Sequence, residues 1–157
     1  MKPLTKYTLP KENSQGLFGA IRKFDIHTGI DLYCFTDDVV YAIESGVVVN
    51  VCPFTGSRVG LGWWNETDAV LVEGSSGVIL YGEINPSVSV GQIIKEGDVI
   101  GTILRVLKVD KGLPMDMLHL ELYKPGYSGD GEIWNLLTDK PHMLLDPSVL
   151  LCDEISL

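Results

Sequence analysis

From residue 24 onward the chain is written in short apolar runs, broken by Gly, Pro, Asn or Asp about every eight to twelve residues. That spacing predicts an all-β sandwich or barrel. The expected strands are Ile26–Tyr33, Val39–Ala42, Gly46–Pro53, Ala69–Glu73, Val78–Ile84, Ile93–Ile94, Val99–Val106 and Met117–Tyr123. Val47-Val-Val and Val70-Leu-Val are rich in β-branched side chains, which pack well on a pleated surface and favour strand over helix. Gly74-Ser-Ser-Gly77 reads as a hairpin connection, and Gly46, after Glu44-Ser45, as a turn or bulge. At most one short helix is expected, around Ile133–Thr138, and Asp146-Pro-Ser-Val-Leu-Leu151 should close the fold. Ahead of the patterned region, residues 1–23 carry Pro3, Pro10, Gly16 and Gly19 among Ser and Asn. They read as an irregular extension packed on the core, leaving 24–157 as the domain.

Composition narrows the function classes more than the fold. At 157 residues, with 45% hydrophobic and 21% charged, the chain suits one globular domain with a sizeable core. A net charge of −9 argues against non-specific nucleic-acid binding and against an anionic membrane surface. Cys34, Cys52 and Cys152 form no C-x-x-C pair and read as free thiols. Lys2 is followed by no apolar stretch of signal-peptide type, and no run approaches a membrane span. The expectation is synthesis in the cytoplasm, with any release by a non-Sec route.

Candidate chemistry starts at Asp25-Ile-His-Thr-Gly-Ile-Asp31. In an extended segment residues i, i+2 and i+4 face one side. His27 and Asp31 would then share a face, with Gly29 between them presenting no side chain to block a shared ligand. One nitrogen and one oxygen donor are half of a four-coordinate zinc site. In isolation such a pair is an ordinary solvated His and Asp near a turn. Later in the chain, Leu118 and Leu120 alternate with His119 and Glu121, which sets His119 opposite the two leucines.

Six segments in order resemble the lysostaphin-type, or LytM-domain, zinc metalloendopeptidases, which cut peptide cross-links in bacterial cell walls. They are His27-Thr-Gly-Ile-Asp31, Val40-Tyr-Ala-Ile-Glu-Ser-Gly-Val-Val, Val78-Ile-Leu-Tyr81-Gly-Glu83, Val90-Gly-Gln through Gly101, Leu118-His119-Leu-Glu121, and Leu145-Asp-Pro. The resemblance covers roughly residues 24–151. It implies a barrel-sandwich hybrid of short antiparallel strands. It also implies a zinc ion held by His27, Asp31 and His119, with a fourth position left for water, and a peptide or peptidoglycan-like substrate.

Two positions depart from the family. Where it has Tyr-x-His, this chain has Tyr81-Gly-Glu83, and where it has His-x-His, this chain has Met117-Leu-His119. Zinc acidifies water to a pKa near ~7, but hydrolysis also needs a proton carrier and donors for the oxyanion. Met117 offers only a weak thioether acceptor. Three roles are open to Glu83: general base, fourth metal ligand, or solvated strand-end carboxylate. Tyr81 and Tyr33 are candidate phenols to an oxyanion, and Tyr81, with Trp63 and Trp64 of a long loop as groove walls, is a candidate substrate contact. His142 follows Pro141 in a loop and reads as a surface histidine. Met115-Asp-Met117 is similar to the Met-Lys-Met of biotin carriers but lacks the lysine that would be modified. The expected function is a zinc-dependent peptide hydrolase with Glu83 as general base. The alternative is a catalytically inactive module that binds metal, peptide or a partner.

Overall fold

Alternation along Met117–Tyr123 sets up the architecture. Leu118, Leu120 and Leu122 point into one apolar cluster, and His119, Glu121 and Tyr123 point to the other side. All seven residues are buried, so this strand runs through the middle of the molecule. In the computed structural model, which describes residues 1–152, it is one of eleven strands, accompanied by two short 3-10 turns. They are β1 (Asp25–Ile26), β2 (Ile30–Tyr33), β3 (Val39–Tyr41), β4 (Gly46–Thr55), β5 (Thr67–Gly74), β6 (Gly77–Pro86), β7 (Ile93–Ile94), β8 (Val99–Ile103), β9 (Met117–Tyr123), β10 (Trp134–Asn135) and β11 (Leu144–Leu145). The 3-10 turns span Ser57–Val59 and Pro147–Leu151. Residues 153–157, the end of the expected domain, lie outside the described residues.

The fold is all-β, and every strand pairing is antiparallel. One nine-stranded sheet runs β11-β9-β6-β5-β4-β7, with β2 on β9 and with β8 bridging β3 and β6; β1 and β10 form a separate pair. The Gly74–Gly77 connection is the expected hairpin, with Gly77 at φ 121°, a left-handed conformation that suits glycine. Gly46 makes no turn. It opens β4 and pairs with Gly74 and Ile94, where an added Cβ would lie 2.2 Å from the Glu73 carbonyl oxygen.

The first residues are stitched to the sheet. Leu4 is a core residue, Thr8 bridges Tyr33, and Pro3 accepts the Tyr41 N–H. The helix expected at Ile133–Thr138 does not form. Trp134–Asn135 pairs with Asp25–Ile26, and Leu137 sits at φ 62° with its side chain in solvent. The apolar run is therefore a strand and turn. At the other end, Asp146 caps the closing 3-10 turn through the Ser148 N–H.

Candidate metal centre

The expected strand Ile26–Tyr33 is interrupted, and the interruption is useful. Asp31 lies in β2, beside His119 of β9 in the antiparallel register. His27 lies in the loop before it, held at its backbone by Gly19 and Ala20. Gly29 passes so close that an added Cβ would stand 2.7 Å from the His119 ring and 2.3 Å from the Leu120 carbonyl oxygen. The three side chains converge: His27 Nε2 and His119 Nδ1 are 3.2 Å apart, His119 Nδ1 and Asp31 Oδ1 3.0 Å, His27 Nε2 and Asp31 Oδ1 3.3 Å. All three residues are buried.

Hydrogen bonds at the far ring nitrogens fix which atoms face inward. His27 Nδ1–H donates to the Leu17 carbonyl at 2.9 Å, and His119 Nε2–H donates to Glu121 Oε1 at 3.0 Å. Each inward nitrogen of a neutral ring then presents a lone pair. Second partners of this kind are what orient histidines at metal sites. Two lone pairs and a carboxylate oxygen at such distances repel unless a metal ion, or in its absence a proton on His119 Nδ1, lies among them. Zinc bonds of about 2.0–2.1 Å in a tetrahedron separate neighbouring donors by roughly 3.3 Å, close to the triangle observed. The donor set fits zinc.

Electrostatics follow the same crowding. Burial alone would raise the Asp31 carboxyl, but the charge of His27 and the hydrogen bond from His119 hold it well below the usual range. Burial alone would lower the His119 imidazolium, but its bonds to Asp31 and Glu121 push it up to about 10. Glu83 goes the other way. Burial first, and the charge of Asp31 second, raise its carboxyl to about 8 against the pull of His119 and Arg22. Its Oε2 is buried without a hydrogen-bond partner in the protein.

Backbone geometry explains why Glu83 points here. Gly82 pairs with Ala69 and Ile84 with Asp68, which leaves Glu83 as an extra residue on β6. Its φ is 67°, uncommon for a side-chain-bearing residue. At this bulge β6 leaves β9, whose last pair is Gly82 with His119, and joins β8 at Ile84. Such bulges re-aim side chains.

His27, Asp31, His119 and Glu83 all line one cavity of about 430 Å³. Met117 and Trp64 line it too, and Phe54 lies 5.3 Å from the His119 ring. Trp63 is not in the wall; it is exposed and meets Trp64 edge-on. Tyr81 is displaced more completely from its expected role. It is fully buried in the core, and its hydroxyl accepts the Ile43 N–H at 3.0 Å. Its ring points to the face of β6 away from the cavity, so it does not meet a substrate there.

A match to the model of peptidase family M23 spans residues 25–131, the stretch that carries all four of these polar residues. The chain belongs to peptidase family M23. Members of M23 are typically zinc-dependent, and this member has a candidate His/Asp site for the ion. Among solved structures, the catalytic domain of the antimicrobial peptidase lysostaphin from Staphylococcus simulans is similar, with TM-score 0.58 and 17% identity over 88% of this chain and 90% of that one. A protein from Pseudomonas aeruginosa assigned to peptidase M23 has TM-score 0.51 and 13% identity over 93% of this chain, which spans 54% of that protein's length. These two likenesses show the fold alone. A chain of the SpoIIQ-SpoIIIAH pore forming complex has TM-score 0.51 and 25% identity, over 88% of this chain and 85% of that one. No curated protein sequence matches the chain.

Two contributors carried no assigned role in the sequence. Glu121 accepts from Thr28 Oγ1 at 2.7 Å as well as from His119, and its other oxygen accepts from the Tyr123 hydroxyl. Its alternation with His119 on β9 was a usable signal. Leu17, whose carbonyl holds His27, gave none, because any residue type supplies a carbonyl.

Proposed function

We propose that this M23 domain is a zinc-dependent hydrolase of peptide bonds, with His27, Asp31 and His119 as metal ligands and Glu83 as general base. The observation that carries the reading is the triangle of donor atoms in a cavity that Glu83 also lines, with one Glu83 oxygen buried and unpaired. Zinc bound there would supply a Lewis acid and acidify water. The chain supplies the rest. Glu121 and the Leu17 carbonyl keep the two imidazoles aimed inward. Glu83, raised toward neutrality by its surroundings, accepts a proton from the attacking water and returns it to the leaving amine. Phe54 and Trp64 give the cavity apolar walls for a peptide, with peptidoglycan cross-links as the substrate class suggested by the family.

Elemental analysis and turnover test the assignment together. Glu83→Ala should abolish cleavage of peptidoglycan or glycine-rich peptides while keeping one equivalent of zinc. His119→Ala should lose the metal; stoichiometric zinc in that variant would overturn the ligand set. One observation favours a second reading, a catalytically silent module that binds metal, peptide or a partner. Met117 stands in the cavity where the resemblance expects a histidine. Undetectable cleavage by a zinc-loaded protein that still binds those peptides would select it.

A further inference from the structure

A hydrolase of this kind must meet negative charge on the carbonyl oxygen as water adds. Met117 cannot supply a proton donor, Tyr81 is turned into the core, and Tyr33 is not among the residues that line the cavity. Both cavity histidines have their outer nitrogens committed to Leu17 and Glu121. The remaining titratable groups of the wall are acidic: Asp25, Asp31, Glu83, Glu121, Asp130 and Glu132. Among the described residues that line the cavity there is a single Lys or Arg, and it is Arg22.

Arg22 precedes the family match, which starts at residue 25. It sits on a turn closed by the Ile21–Ile26 bridge and by its own N–H to the Asp25 carbonyl. Nε and Nη2 both donate to the Gln15 carbonyl, at 3.3 and 2.8 Å, and Nη2 also reaches Asp31 Oδ2 at 3.4 Å. Asp31 Oδ2 is the oxygen that does not face the histidines, so the guanidinium is held beside the candidate metal ligands without entering their triangle. A guanidinium carries five N–H donors in a rigid fork. These contacts use Nε and Nη2 and leave the two donors of Nη1 without an acceptor among the described residues. The side chain is 29% exposed and lines the cavity.

We propose that Arg22 is the oxyanion-binding residue of this site, taking the donor role that Met117 cannot fill. This rests on the zinc-hydrolase reading above and adds a catalytic residue that the family match does not contain. No electron or proton transfer is asked of Arg22; it stays charged and donates hydrogen bonds to the developing alkoxide.

Inorganic phosphate, a small tetrahedral oxyanion, serves as the probe, titrated by calorimetry into zinc-loaded parent protein, Arg22→Ala and Arg22→Lys. Zinc content and thermal unfolding are measured on the same samples. The expected result is unchanged zinc stoichiometry in all three, phosphate affinity at least tenfold weaker in Arg22→Ala, and an intermediate value for Arg22→Lys. Equal phosphate affinity in parent and Arg22→Ala would overturn the proposal. Loss of zinc from both variants would also overturn it, because Arg22 would then be a positioning residue for Asp31. Failure of the parent to take up zinc would instead reject the hydrolase reading and carry this inference down with it. If Arg22→Ala does not fold, the Arg22→Lys comparison decides alone.

Discussion

Two carboxylates enter the same cavity from neighbouring strands and are treated in opposite ways. On the β9 wall, Glu121 is bonded by Thr28, His119 and Tyr123. Tyr123 in turn accepts the Glu132 N–H and stacks on Tyr127 at 3.8 Å, which ties the cavity-lining loop to the same network. At the β6 bend, Glu83 is also buried, sits on an unusual backbone conformation and keeps an oxygen without a partner. A saturated carboxylate can only hold its neighbours still. An unsatisfied one costs stability and retains the capacity to take a proton. The contrast separates a group that orients the site from a group free to act in it.

The comparison breaks hardest at Glu121. Glu121→Ala removes one partner of a buried network and strands three donors, with an expected loss of about 3–5 kcal/mol. Zinc affinity should fall roughly 10- to 100-fold as His119 loses its orienting bond. Urea unfolding and competitive zinc titration measure the two effects. A variant as stable as the parent would mean that Glu121 orients nothing.

Tyr123→Phe tests the same wall more gently. It leaves one Glu121 oxygen in the condition of Glu83 and strands the Glu132 N–H. The expected cost is about 1.5–3 kcal/mol in the same unfolding experiment, since the lost bond is to a charged group.

Glu83 should show the opposite sign. Its native carboxyl is raised from 4.5 to about 8, so between those values the folded state binds more protons than the unfolded state. Stability of the metal-free protein therefore falls as pH rises through that window. His119, raised from 6.5 to about 10, adds a decline of its own above pH 6.5, so the Glu83 contribution has to be read as a difference. Glu83→Gln keeps the shape and removes the charge. Its advantage over the parent should be near zero at pH 4.5 and grow to several kcal/mol by pH 8. A difference that is flat with pH would show that Glu83 is not strained by its charge.

Much of this was legible in the chain, and the illegible part has physical causes. Strand positions follow from β-branched runs punctuated by glycine, because alternation with burial leaves a pattern in residue types. The spacing of His27 and Asp31 around Gly29 also survives translation into space, although His27 sits in a loop and not on the strand expected. That Tyr81 faces the core is not legible, because residue type does not tell which face of a strand it occupies when both faces are buried. The bulge at Glu83 depends on where β6 changes partner, a tertiary event without a local signature. The 133–138 segment shows the limit of short apolar runs: Ile-Trp-Asn-Leu-Leu-Thr suits a helical turn as well as a strand end. Only pairing with Asp25–Ile26 decides it.

The distance along the chain between the two histidines has a consequence for how the protein is made. His27 and Asp31 are near neighbours in sequence, and the Leu17 carbonyl that fixes His27 is ten residues away, so this part of the site can assemble early. His119 arrives 92 residues after His27. An ion gripped by all three would close a loop across more than half the chain. It would remove entropy from the unfolded ensemble as a long crosslink does. Metal supply during synthesis would then govern how much of the chain folds, as well as whether the finished molecule works.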